Sequence, residues 1–184
     1  MSHLSVHEDV QKFLDEAVPG KDGSKRQKRC THCAANMIVY FPKYNGGLVS
    51  ALRKMLVVVR NKQQNDVHVS DSGEVRLSYA ERANMTKLRH LGAVAHVKEE
   101  GKIVQAHWLI TRRGFAFLRG EPVPAWAKTY RNEVIGSSEE TITIHEVIEN
   151  TKNGEKYWDD IDSLRRDIAT AEDVERAIEK MGGI

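Results

Sequence analysis

Between residues 78 and 120 the hydrophobic period switches twice, from helical to alternating and back to helical, and few folds accommodate that order. Ser78-Tyr79-Ala80-Glu81 has the pattern of a capping box, in which a hydroxyl and a carboxylate three residues later satisfy the amides that open a helix. Leu88 and Leu91 share one face, and Met85 continues it. Asn84 offers a second N-cap, so the segment reads as one helix or as two meeting there. Gly92 ends it, as glycine does where the chain turns left-handed. From Val94 to Glu100 the residues alternate, and after Gly101-Lys102 the run IVQAHWLIT is rich in β-branched and aromatic side chains. Two strands around a glycine-bearing turn predict a hairpin. Thr111 then caps a helix over residues 112–118, which stops before Gly120 and Pro122.

Upstream, Asn45-Gly46-Gly47 precedes a strongly amphipathic run with Leu48, Ala51, Leu52, Met55, Leu56 and Val59 on one side. This predicts a long helix at the centre of the core. The following VHVSDSGEVRL is strand-like at both ends, with a turn at Asp71-Ser72-Gly73.

The series KLRHLGAV, hairpin, WLITRRGFAFLRG resembles the recognition helix, wing and following helix of winged helix-turn-helix proteins. The resemblance implies a winged-helix-like core over residues 45–120 that binds double-stranded DNA. The chain departs from that pattern in having only a short segment where the preceding helix of the motif belongs. A second resemblance is to an uncharacterised group of bacteriophage-encoded proteins. It is carried by the Cys30-x-x-Cys33 pair, Lys87-Leu88-Arg89, Trp108 to Gly120, and Tyr130 to Ile144. It implies a phage origin and a host-cell cytoplasmic location, and brings no activity with it.

Composition allows one sizeable core with small appendages, since 40% of the 184 residues are hydrophobic and 29% charged. No apolar run approaches the roughly 20 residues of a membrane helix, and the start lacks a secretory pattern, so no membrane partner and a cytoplasmic protein are expected. The net charge of +2 conceals an asymmetry. Residues 1–132 carry 22 Lys/Arg and 12 Asp/Glu, a net of +10, whereas residues 133–184 carry 6 and 14, a net of −8. A basic body suits a polyanionic partner, although two opposed halves also simply attract one another.

At the N-terminus, Ser5-Val6-His7-Glu8 is another capping box, opening a helix within residues 1–20 that carries Val10, Phe13, Leu14 and Ala17. A basic loop, GKDGSKRQKR, leads into a CxxC module over residues 21–44. Two thiolates at that spacing are half of a tetrahedral zinc site. With no second CxxC, histidine must complete it. Cys30, Cys33 and His68 are the expected ligands, His68 lying at a position the phage group shares. His3, His7, His32, His90 or water would be the fourth. A pair of ordinary thiols is the competing reading, and a thioredoxin-like one would need a βαβ pattern that is missing.

Residues 121–150 read as a β extension in which AKTYRNEVI alternates and pairs with TITIHEV across Gly136-Ser137-Ser138. It would extend the wing sheet or join the CxxC module. Residues 151–184 read as an acidic tail of two amphipathic helices, docked on the body or forming a homodimer contact.

No catalytic signature is present: no phosphate-binding glycine loop, no Gly-x-Ser-x-Gly elbow, no His-Glu-x-x-His. The expectation is therefore an α+β, non-enzymatic, DNA-binding protein of the transcriptional-regulator kind. Arg82, Thr86 and Arg89 would enter the major groove, where arginine reads guanine edges. Lys98, Lys102, Arg112 and Arg113 would hold the flanking phosphates. The alternative is an adaptor or inhibitor acting on a host defence or replication protein, since winged helices also bind proteins.

Overall fold

The computed structural model describes residues 8–20, 23–31 and 33–151. In chain order these form α1 (Glu8–Glu16), β1 (Lys25–Arg29), β2 (Asn36–Tyr40), α2 (Gly46–Lys62), β3 (Val67–His68), α3 (Tyr79–His90), β4 (Val94–Glu99), β5 (Lys102–Ile110), α4 (Arg112–Leu118), β6 (Val123–Pro124), β7 (Ala127–Tyr130), β8 (Glu133–Ser137), β9 (Thr141–Ile142) and α5 (Ile144–Glu149). The class is α+β, as predicted. The strands make a four-stranded sheet ordered β1-β2-β7-β8, a three-stranded sheet ordered β3-β5-β4, and the pair β6-β9. No helix among the described residues is long and apolar enough to cross a membrane.

α2 is the centre of the larger core. The Asn45 side chain accepts from the Leu48 amide at 3.1 Å and opens the helix. Leu48, Ala51, Leu52, Met55, Leu56 and Val59 are all buried along one stripe. Each leucine, methionine and valine among them contributes about 1.5–3 kcal/mol on leaving water. α3, the β4–β5 hairpin, α4 and α5 pack around this stripe.

α3 is one helix, not two. Its capping box is reciprocal, with Ser78 accepting from the Glu81 amide and Glu81 accepting from the Ser78 amide at 2.7 Å. Asn84 donates to the Ala80 carbonyl at 2.7 Å from inside the helix instead of starting a new one. Gly92 (φ +74°) follows the last turn, and the Gly92 and Ala93 amides donate back to the carbonyls of Arg89 and Leu88. This Schellman closure needs the left-handed conformation glycine adopts without strain.

Three segments differ from expectation. The basic stretch Lys25–Arg29 is a strand, fully paired with β2 although every residue is exposed. Ladder hydrogen bonds need no apolar side chains, and the tight turn after Cys30 brings β2 alongside. AKTYRNEVI breaks into two strands at Arg131-Asn132, both in the left-handed region (φ 49° and 66°), so β7 pairs with β8 directly. A two-residue turn of that handedness matches the twist of a hairpin and favours Asn. TITIHEV divides into β9, paired with β6, and the helix α5, which Thr143 and Glu146 open as a capping box. The β extension thus joins the CxxC module, not the hairpin sheet. The expected tail helices, residues 152–184, lie outside the described residues.

The four-stranded sheet is covered on one face. Phe13, Leu14 and Ala17 of the α1 segment pack against Val39 and Phe41, with Trp126 and Tyr130 beside them. Side chains alternate along a strand, so Ile38 and Tyr40 face the other way, and Tyr40 is 49% exposed.

Candidate nucleic-acid interface

The inner face of α3 is fixed by Met85 and Leu88, both buried against the core. Its first turn is pinned to α2 through Glu81, which accepts from Lys54 at 2.8 Å and Ser50 at 2.8 Å as well as from the Ser78 amide. Burial raises the proton affinity of this carboxyl, but the Lys54 ammonium and the amide and hydroxyl donors outweigh it and hold the pKa at about 2. Glu81 is therefore an anion at any ordinary pH, and α3 is held in one orientation.

That orientation leaves Ala83, Thr86 and Lys87 exposed. Arg82 is paired with Asp71 from the β3–α3 connection. Arg89 is half-buried, and its guanidinium donates to Asn132 Oδ1 at 3.2 Å while lying 3.1 Å from His90 Nε2. Thus, of the helix residues expected in a major groove, Thr86 projects freely and the two arginines already hold partners.

The hairpin base and the end of α3 converge at one point. The Thr111 amide donates to the Ala93 carbonyl at 3.0 Å, and Arg113 Nη1 reaches the Leu91 carbonyl at 3.3 Å. Gly114 permits this approach, since a Cβ there would overlap the Ala93 carbonyl and come within 2.7 Å of Ile110 Cγ2. Arg112 and Arg113 are exposed on the first turn of α4. At the far end of the hairpin Lys98 and Lys102 are exposed, with Glu99 opposite Lys102 and Glu100 in the turn. Two carboxylates at the tip offset the two ammonium groups, so the positive field is stronger near α4 than at the tip.

His96 packs on Trp108 with ring centroids 3.9 Å apart, and its Nδ1 is buried without a partner. Burial, then Arg89 and Lys98, lowers its pKa below the ordinary 6.5. His90 is lowered likewise by burial and Arg89, against an opposing hydrogen bond to Asn132.

The expected metal ligands are not gathered. Cys30 is buried and Cys33 exposed, at a turn closed by the Cys30 amide on the Ala35 carbonyl at 2.8 Å. His68 sits on β3 in the other sheet, stacked on His107 with centroids 4.9 Å apart. His90 contacts Asn132, while His3, His7 and His32 lie outside the described residues. Among the described residues no group of three or more His, Cys, Asp or Glu is placed to hold a metal ion.

Sequence reasoning passed over the far wall beside α3. Tyr40, Lys43 and Asn132 come from the four-stranded sheet and its neighbouring segments, and they line one groove with Thr86, Lys87 and His90. A visible signal was the Arg131-Asn132 pair interrupting an alternating run. No protein-family model, characterised protein or solved structure matches the chain.

Proposed function

We propose that this is a non-enzymatic DNA-binding protein that engages a duplex with α3, the β4–β5 hairpin and the start of α4, in the manner of a winged helix. The supporting observation is the order of elements. A core helix (α2), a short strand (β3), a second helix (α3) and a hairpin (β4–β5) fold so that the strand pairs with the far hairpin strand, giving β3-β5-β4. The loop over residues 69–78 takes the place of the motif's middle helix.

Arg112, Lys98 and Lys102 are exposed and would meet phosphates on either side of α3. Arg82 and Arg89 would join only by exchanging Asp71 and Asn132 for DNA, which reduces their net gain. Thr86 would face base edges.

The test is binding to blunt duplex DNA across a salt series. Wild type should lose affinity steeply with salt, and the triple change Lys98→Ala, Lys102→Ala, Arg112→Ala should lower the slope by about one unit per phosphate contact removed. A folded triple variant with unchanged affinity and slope would remove this interface.

A further inference from the structure

We infer that the groove between α3 and the four-stranded sheet is a binding site for single-stranded nucleic acid, sharing its α3 wall with the duplex-facing surface while its other wall is the sheet. The groove holds about 720 Å³ and has α3 on one side and the open sheet face on the other. None of its lining residues is acidic, while Lys87 and His90 of α3 and Lys43 from the segment after β2 supply basic groups from both sides. A larger groove beside α1 is lined by Asp15, Glu139 and Glu140 as well as two lysines. Charge therefore singles out the first for a polyanion.

The form of the polyanion follows from the walls. A groove that pairs a helix face with an exposed aromatic ring suits a single strand, which presents flat bases and a flexible backbone. Tyr40 offers a half-exposed ring for a base to stack on, and stacking of this kind tolerates any base. Lys25 lies directly across the ladder from Tyr40, hence on the same face, at the edge of a strand reading Lys-Arg-Gln-Lys-Arg. An aromatic on an open sheet face flanked by cations is how many single-strand binders are built.

The inference rests on the reading of the chain as a nucleic-acid binder, and the experiment separates the two. The probes are a labelled oligothymidylate of roughly 12 nucleotides, within the usual span of such sites, and a blunt duplex. Wild type should bind both. Tyr40→Ala should weaken the oligothymidylate at least about fivefold, and Lys25→Ala with Lys87→Ala should do so with a reduced salt dependence. Tyr40 lies on β2 and off α3, so Tyr40→Ala should leave duplex affinity unchanged. Ultraviolet cross-linking should place thymidine on the peptide containing Tyr40. Duplex binding with no oligothymidylate binding, or oligothymidylate binding indifferent to all three changes, overturns the inference and leaves the duplex reading standing. Failure to bind either probe overturns both. Displacement of the oligothymidylate by polyglutamate at equal charge, with Tyr40→Ala silent, would instead mark a site for acidic peptide and also overturn it.

Discussion

The part of the molecule built on α2 and the part built on the four-stranded sheet are held together by different forces. The first packs α3, β5, α4 and α5 around a stripe of fully buried aliphatic residues. The second has a small cluster of buried apolar residues, Ala17, Val39 and Phe41, with half-buried neighbours, and beyond Met37, Cys30 and Ala127 rests on a ladder of backbone hydrogen bonds. Burial of apolar area dominates stability, so the α2 part should set the global stability and the sheet should open at lower free energy. The groove proposed for single strands lies where these two parts meet, with its rigid wall on α3 and its more yielding wall on the sheet.

The largest effect should come from Leu52→Ala, which empties a fully buried position in α2. A loss of about 3–5 kcal/mol is expected, read as a shifted urea midpoint for the whole protein. A loss below about 1 kcal/mol would mean α2 is not the centre of the cooperative unit.

Next is Glu81→Ala. It removes the carboxylate half of the α3 capping box and leaves the Lys54 ammonium without its partner, at a cost of about 2–4 kcal/mol. The sign with pH is fixed by the depressed pKa. Stability from Glu81 is present above the unfolded carboxyl's 4.5 and is lost as pH falls toward about 2. The variant should therefore show a flatter acid-denaturation curve than wild type below about pH 4.5, and an identical curve in both would break the assignment.

In the sheet, Phe41→Ala should cost less, about 1–3 kcal/mol, because the half-exposed side chains around Trp126 and Phe13 relax into the space. Hydrogen exchange sharpens the contrast. Amides of β1, β2 and β7 should exchange faster in the variant while those of α2 and β5 stay protected. Equal acceleration throughout would show that the two parts unfold as one.

The α2 part was legible in the sequence because its signals are local and periodic: the Leu48 to Val59 stripe, the Ser78 box, the glycine at position 92, and the Thr111 cap all produced the elements they predict. The sheet was less legible. A run such as Lys-Arg-Gln-Lys-Arg has no apolar alternation, and its strand exists only because β2 offers a partner. TITIHEV alternates like a strand, but its last residues became α5 because the Thr143 box and burial of Ile144, Val147 and Ile148 against the core outweigh local pattern. The candidate site divides the same way. Exposure of Thr86, Lys98, Lys102 and Arg112 follows from helix and hairpin periodicity. The engagement of Arg82 by Asp71 and of Arg89 by Asn132 is tertiary, and no spacing rule reaches across 43 residues.

The smallest effect expected is also the one that touches both parts. His90, from α3, meets Asn132, from the sheet turn, with its Nε2 at 3.0 Å from the amide oxygen. Burial and the Arg89 charge keep its pKa below 6.5, so the folded protein resists protonating it. The unfolded chain takes up that proton more readily, and stability contributed by neutral His90 and His96 is lost as pH falls through about 6.5. A polyanion in the groove reverses the local preference, because a bound phosphate favours the imidazolium. Between about pH 8 and pH 6 the thermal midpoint should fall while oligothymidylate affinity rises. His90→Gln should remove most of the rise in affinity and leave the contribution of His96 to stability in place. Affinity that stays constant with pH in wild type, or rises equally in His90→Gln, would separate His90 from the groove's ligand and leave its contact with Asn132 as a purely structural link between the two parts.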